Sequence, residues 1–164
     1  MPYIPLPSYQ VILEARTYLK SALLIERSGD TALLGPACVL AGFSMELLLK
    51  SFMAKDASVI AMKVDSYDIF SGAISSERGH NLGVLFDKID ARYRQAIIDT
   101  SEKLQPGFPL EQKLREYADY FFHGRYGYEP GSIGIFHLAV FDCAEHLERV
   151  CTELLPTVVQ PHEL

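Results

Sequence analysis

The sequence predicts an all-α, single-domain bundle of about five main helices, and three observations support this prediction. Apolar residues recur at helical spacing through several long stretches. Clusters of glycine, proline, serine and aspartate separate these stretches, as is typical of the turns between helices. One stretch, residues 33–54, is apolar almost throughout, which indicates a central helix surrounded by its neighbours.

The first two helices have clear beginnings and ends. Residues 1–8 contain three prolines and are predicted to form an extended lead-in. Ser8 is a suitable N-cap for a first helix, which ends near Arg27 before a Ser-Gly-Asp turn. The second helix has Pro36 in its first turn and is predicted to continue to about Lys55.

Residues 56–79 have no helical pattern. Two apolar runs, 59–64 and 67–70, are separated by Asp-Ser, so the segment forms either a short hairpin or an ordered loop.

Three further helices and one polar helical segment complete the predicted bundle. Asn81 is a good N-cap for a helix over 82–91. A mostly polar helix over 92–104 is expected to lie on the outside, and an amphipathic helix is predicted over 110–123. The last helix is predicted over 132–155.

Composition limits the class of protein. The length of 164 residues allows one domain, predicted over 9–155 with a C-terminal tail at 156–164. The net charge of −6 disfavours a broad basic surface for nucleic acid. The cysteines are odd in number and lack metal or redox spacing, and the N-terminus lacks a basic signal-peptide region. These features predict free thiols and a cytoplasmic protein.

Two charged residues stand inside the most apolar stretch. Glu46 and Lys50 are four residues apart, so a helix places them on one face. Their charges disfavour a membrane span, and we predict instead a helix buried by its neighbours. A buried carboxylate needs a cation or a hydrogen-bond donor from another segment. The pair either fixes helix packing or belongs to a polar site.

His80 and Arg125 are the residues that the rest of this polar site requires. His80 precedes a predicted helix start, so it either lies beside a simple cap or points from the helix N-terminus toward a site. Arg125 and Tyr126 follow the fifth predicted helix, and we predict that Arg125 pairs with Glu46. The predicted polar cluster is Glu46, Lys50, His80, Arg125 and Tyr126.

The solvent side of the fifth predicted helix carries a mixture of basic and aromatic residues. Arg115, Asp119, Phe122 and His123 fall together there. Such a mixture suits a subunit interface or base stacking. Gly124 is predicted to end this helix in the left-handed conformation.

A metal site is not predicted. His137 and His146 point to opposite sides of the last helix, and Asp142 and His146 share what we predict to be its solvated face. Phosphate-binding loops and hydrolase motifs are also missing from the sequence, so no cofactor is predicted.

Three short motifs follow one another along the chain: E-x-x-x-K at Glu46 and Lys50, G-H-x-L at His80, and R-Y at Arg125. Together they resemble the motifs of a HEPN domain, the "higher eukaryotes and prokaryotes nucleotide-binding" superfamily. The resemblance covers residues 9–155. It implies a bundle of four to five core helices and a homodimer with a polar cleft between its subunits. It also implies a metal-independent ribonuclease or a related binding protein in toxin–antitoxin, phage-defence or stress systems. An antitoxin or a nucleotidyltransferase is the partner implied.

The ribonuclease signature of that superfamily is an arginine followed by a histidine after four to six residues. Here seven residues separate Arg115 from His123, and eleven separate Arg125 from His137. The leading interpretation is therefore a member that binds RNA, a nucleotide or a phosphate ligand. A diverged ribonuclease using Arg125 with His80 or His123 is the first alternative, because catalysis requires proximity in space. A protein-interaction module with a structural cluster is the second.

Overall fold

The computed structural model describes residues 4–156 and shows a mostly helical domain with two small antiparallel strand pairs. This confirms the helical fold class. The predicted tail, apart from Pro156, and the first three residues of the predicted lead-in lie outside the described residues. The helices are α1 (Tyr9–Arg27), α2 (Leu34–Lys50), α3 (Leu82–Lys88), α4 (Ala91–Leu104), α5 (Leu110–Glu116), α6 (Tyr120–Gly124) and α7 (Ala139–Glu153). The strands are β1 (Lys55–Asp56), β2 (Ile60–Val64), β3 (Tyr67–Phe70) and β4 (Ile74–Ser75).

Helix α2 is the centre of the bundle, as its composition predicts. It packs against α1, α3, α6 and α7, and two 3₁₀ turns extend it to the segment Thr31–Met53. That segment is long and apolar enough to span a membrane by length and composition alone, but its packing inside the bundle is consistent with a soluble protein. Gly42 lets α6 approach closely, because a Cβ there would lie only 3.0 Å from the Phe121 backbone nitrogen.

The segment after α2 contains the hairpin rather than the ordered loop. β2 and β3 pair antiparallel around a tight turn, where Asp65 has a positive φ of 52°. At the base of this hairpin β1 and β4 form a second short pair. Every residue of β2 and β3 is exposed. The hairpin therefore extends away from the bundle.

The single helix predicted over 110–123 is wrong, because the chain turns at 117–119 between α5 and α6. The carbonyl of Ala118 accepts a hydrogen bond of 3.1 Å from the backbone N–H of Leu82, at the start of α3. Because this carbonyl bonds to α3, it does not accept the backbone hydrogen bond that would continue its own helix. The break thus ties α5–α6 to the N-terminus of α3.

Other element boundaries also differ. Helix α3 ends at Lys88 because Ile89 is extended and Asp90 caps α4. Helix α7 begins at Ala139 rather than near residue 132, because the backbone N–H of His137 donates to the hydroxyl of Tyr120 at 2.9 Å and holds the preceding segment in irregular structure.

Two caps differ from prediction. Ser8 occupies the N-cap of α1, but its side chain makes no capping bond and its backbone N–H donates to the carbonyl of Ser51. Gly124 is the last residue of α6, without a positive φ. A Cβ there would lie 2.7 Å from Val39 Cγ2, so Gly124 is required for close packing and not for a left-handed cap.

His146 lies in the core, which contradicts its predicted place on a solvated face with Asp142. Its Nε2 shares a hydrogen bond of 2.7 Å with Ser101 Oγ, and its ring packs on Phe108. Burial lowers the pKa of His146, with a smaller contribution from nearby Arg149. This histidine therefore links α7 to α4 and cannot reach a ligand at the surface.

Candidate functional site

Glu46 forms the floor of the site. Its residue is only 1% exposed, and its carboxylate is held from two directions. Lys50, one turn later on α2, donates from Nζ to Oε1 at 2.7 Å. The His80 ring, from the segment before α3, places Nδ1 3.1 Å from both carboxylate oxygens. A buried carboxylate with a cation and a ring N–H as partners has its desolvation offset.

The segment that carries His80 is fixed at both ends. Ser76 donates its hydroxyl to the backbone carbonyl of Lys50 at 3.0 Å, just past the base of the hairpin. Asn81 accepts from the N–H of Val84 and so caps α3, as predicted. The amide of Asn81 also donates to Asp119 at 3.0 Å. These contacts set the position of His80 before any ligand arrives.

The Glu46–His80 contact determines which ring nitrogen is available. In the neutral ring, Nδ1–H donates to Glu46, which leaves Nε2 as the acceptor for a ligand proton. The His80 side chain is 42% exposed, so solvent and ligands can reach it. A buried carboxylate that orients an exposed histidine is the arrangement used in acid–base catalysis and in ligand binding.

Arg125 does not pair with Glu46, so that prediction is wrong. Within residues 4–156 its guanidinium forms no ion pair and instead lies over aromatic rings. Its Cζ is 4.6 Å from the Phe121 centroid and 5.2 Å from those of Phe122 and Tyr126. The reason is local: these rings lie on α6 and on the turn directly after it, close to Arg125 in sequence, whereas Glu46 already has Lys50 and His80 as partners.

The rings beneath Arg125 also contact His80. The His80 ring stacks on Phe122 with centroids 5.3 Å apart at 17°, and it lies 5.4 Å from Phe121. Phe121 stacks in turn on Phe43 of α2, at 4.3 Å. His80 and Arg125 are therefore brought together by two shared aromatic neighbours. We call the group Phe121, Phe122, Arg125, Tyr126 and Tyr128 the aromatic–arginine surface; Phe121 and Tyr126 are half-buried in it, and the other three are exposed.

Two other predicted residues lie at the margin. His123 is exposed and meets Phe122 edge-on at 5.2 Å, without a hydrogen bond to Glu46. Arg115 turns away, because Asp87 and Glu111 bind its guanidinium at 2.9 and 2.8 Å. The guanidinium of Arg115 holds the pKa of Asp87 below its usual value. Neither residue joins the polar cluster.

Sequence reasoning missed Phe121 as a site residue. It underlies the aromatic–arginine surface by contacting Phe43, His80 and Arg125 at once. The available signal was the spacing: Phe121 and Arg125 are four residues apart, as are Phe122 and Tyr126, which stacks them along a helical turn.

Other reactive groups do not enter this site. Burial raises the pKa of the Cys38 thiol to about 11 and that of Cys143 to about 12, and both residues lie in the core. Thiols of this kind are poor nucleophiles near neutral pH. In the part of the chain from residue 4 to residue 156, no three histidine, cysteine, aspartate or glutamate side chains are placed to hold a metal ion.

No protein-family model matches this chain, and neither a curated protein nor a solved structure shows significant similarity to it. The function must therefore be inferred from the residues and geometry of the chain itself.

Proposed function

We propose that this chain is a HEPN-like protein that binds single-stranded RNA or a nucleotide at the aromatic–arginine surface. The observation that carries the proposal is the arrangement of His80. Buried Glu46 holds its Nδ1 side, Phe122 stacks on its face, and Arg125 lies against the same rings. Its exposed Nε2 is an acceptor for a hydroxyl of the ligand, and the guanidinium of Arg125 supplies donors for a phosphate.

The chemistry of the surface favours single strands. Unstacked bases pack on aromatic rings and on guanidinium planes, and each stacked base contributes about 1–3 kcal/mol. Paired bases keep their faces within the helix and cannot use this surface. The net charge of −6 limits attraction at a distance, so stacking has to supply most of the affinity. A log–log slope of affinity against salt of only about −0.7 to −1.4 is expected, for one or two phosphate contacts.

The proposal predicts that the wild-type protein prefers single-stranded RNA. Fluorescence anisotropy with a labelled oligonucleotide of about eight nucleotides, within the usual range for single-strand sites, measures its affinity. The same strand annealed to its complement is the matched control. We expect at least about tenfold weaker binding of the duplex, the cost of losing one or two stacked bases. Equal binding of both forms contradicts the preference for single strands, and binding of neither form eliminates RNA as the ligand.

A second candidate, a metal-independent ribonuclease, is favoured by the Glu46–His80 contact in particular. His80 Nε2 would accept the proton of an RNA 2′-hydroxyl as O2′ bonds to phosphorus and the P–O5′ bond breaks. The protonated ring can then return that proton to the departing 5′ oxygen. Arg125 would stabilise the charge on the phosphate.

The binding samples also test this second candidate. Cleavage on a denaturing gel, unchanged by EDTA and reduced about 10²- to 10⁴-fold in His80→Ala, is the result expected of an acid–base histidine. RNA that stays intact with the wild-type protein eliminates the ribonuclease and leaves the binding proposal in place.

The broader setting follows from the resemblance and belongs to the same proposal. We infer a cytoplasmic protein that acts in a toxin–antitoxin, phage-defence or stress system. We also infer a homodimer, together with an antitoxin or nucleotidyltransferase partner. The free, buried thiols support a reducing compartment.

A further inference from the structure

The hairpin formed by β2 and β3 has one face that carries only apolar side chains. Cross-strand partners in an antiparallel pair project to the same face, and successive residues project to opposite faces. The register pairs Met62 with Ile69 and Val64 with Tyr67. These four side chains, which we call the apolar hairpin face, therefore lie together. Their residues are between 45% and 74% exposed.

The opposite face differs in chemistry. Lys63 and Asp68 form a cross-strand ion pair of 3.6 Å there. An irregularity in β2 between Ile60 and Met62 shifts the register, so Ile60 and its partner Phe70 also project to this charged side. Both faces are exposed, but only the apolar hairpin face carries no charged side chain.

An isolated two-stranded hairpin is at best marginally stable in water and usually needs a further layer on its apolar face. The helices do not provide that layer, because β2 and β3 contact chiefly each other among residues 4–156. The strands also leave both hairpin edges open. Among residues 4–156, no other element completes the hairpin, so its apolar face is open to a partner.

We propose that a second copy of this chain covers the apolar hairpin face, with the two hairpins packed face to face about a two-fold axis. Four side chains of this size, with 45% to 74% of their surface exposed, offer on the order of 500 Å² per copy. Two copies then bury about 1,000 Å², which reaches the lower range of specific interfaces. The same patch serves both copies in a two-fold contact, and the face carries no charge that would repel its equivalent.

The test is the oligomeric state of the full chain by analytical ultracentrifugation across a concentration series. The first variant replaces one cross-strand pair on the apolar hairpin face, Met62→Lys with Ile69→Lys. The matched control makes the same change on the charged face, Ile60→Lys with Phe70→Lys. All four positions are exposed within the same two strands, so far-UV circular dichroism should stay that of a helical protein in every sample.

We expect a wild-type dimer whose dissociation constant rises at least about a hundredfold in the first variant, because two lysines would be desolvated without partners. The control should stay within about tenfold of the wild type. A monomeric wild-type protein overturns the proposal, as does equal weakening by both variants. The proposal rests on the homodimer inferred above but not on RNA binding, because the sedimentation experiment contains no nucleic acid.

Discussion

Replacing Glu46 with alanine is expected to lower the free energy of unfolding by about 3 kcal/mol, the low end for breaking a buried ion pair. The carboxylate is the common partner of Lys50 and His80, and without it the Lys50 ammonium stays enclosed without an anion. A loss of that size corresponds to a fall in melting temperature of about 6–12 °C. Urea denaturation followed by circular dichroism measures it directly.

A double variant distinguishes loss of the ion pair from loss of packing. Glu46→Leu with Lys50→Met replaces the charged pair with apolar side chains of similar size, and it should recover at least about half of the lost stability. Surface substitutions usually change the free energy of unfolding by no more than about 0.5 kcal/mol. If Glu46→Ala changes it by no more than this, the carboxylate does not stabilise the fold as its burial implies.

The same residue separates a binding site from a structural cluster. Glu46→Gln keeps the shape of the side chain but weakens its hold on His80. If the cluster only fixes helix packing, this variant loses stability and keeps its affinity for ligand. If Glu46 positions His80 for a ligand, affinity falls as well at temperatures where the variant is fully folded.

Replacing Arg125 with alanine is expected to weaken binding of single-stranded RNA by about 10- to 100-fold. The guanidinium lies on Phe121, Phe122 and Tyr126, so it is held flat, and it has no carboxylate to neutralise it within the described residues. Its loss removes a phosphate contact and a stacking plane together. The log–log salt dependence should also become shallower by about 0.7.

Two further variants test the mechanism of this effect. Arg125→Lys keeps the charge but loses the planar stack, and it should recover only part of the affinity. Arg149→Ala removes an exposed arginine from a groove lined by α1 and α7 alone, and it should bind RNA as the wild type does. An equal loss in Arg125→Ala and Arg149→Ala would indicate a general charge effect and not a site.

The sequence was informative about contacts that are local or that use a rigid element. Glu46 and Lys50 had to share a face once their segment was helical, and the cap at Asn81 positioned α3. The prediction that Arg125 pairs with Glu46 was wrong because the position of a side chain depends on all of the groups around it. The aromatic rings of its own turn were nearer than a carboxylate that other residues already held.

Long-range backbone contacts were the least predictable. The break between α5 and α6 depends on a hydrogen bond from the backbone N–H of Leu82 to the carbonyl of Ala118. No local sequence pattern predicts this bond. The hairpin was equally hard to decide, because its two strands carry apolar residues on both faces and show little of the alternation of a half-buried strand. His146 was predicted to be solvated because its hydrogen bond to Ser101 of α4 is a tertiary contact, which the pattern of its own helix does not show.

The central claim is that His80, held by Glu46, faces a ligand. Imidazole ¹⁵N resonances observed by NMR during a titration with single-stranded RNA test it most directly, with His80→Gln used to assign the signal. We predict that the Nε2 resonance of His80 shifts and saturates with RNA, while that of His146, buried and bonded to Ser101, stays in place. A His80 resonance that does not move while RNA is bound would contradict the account.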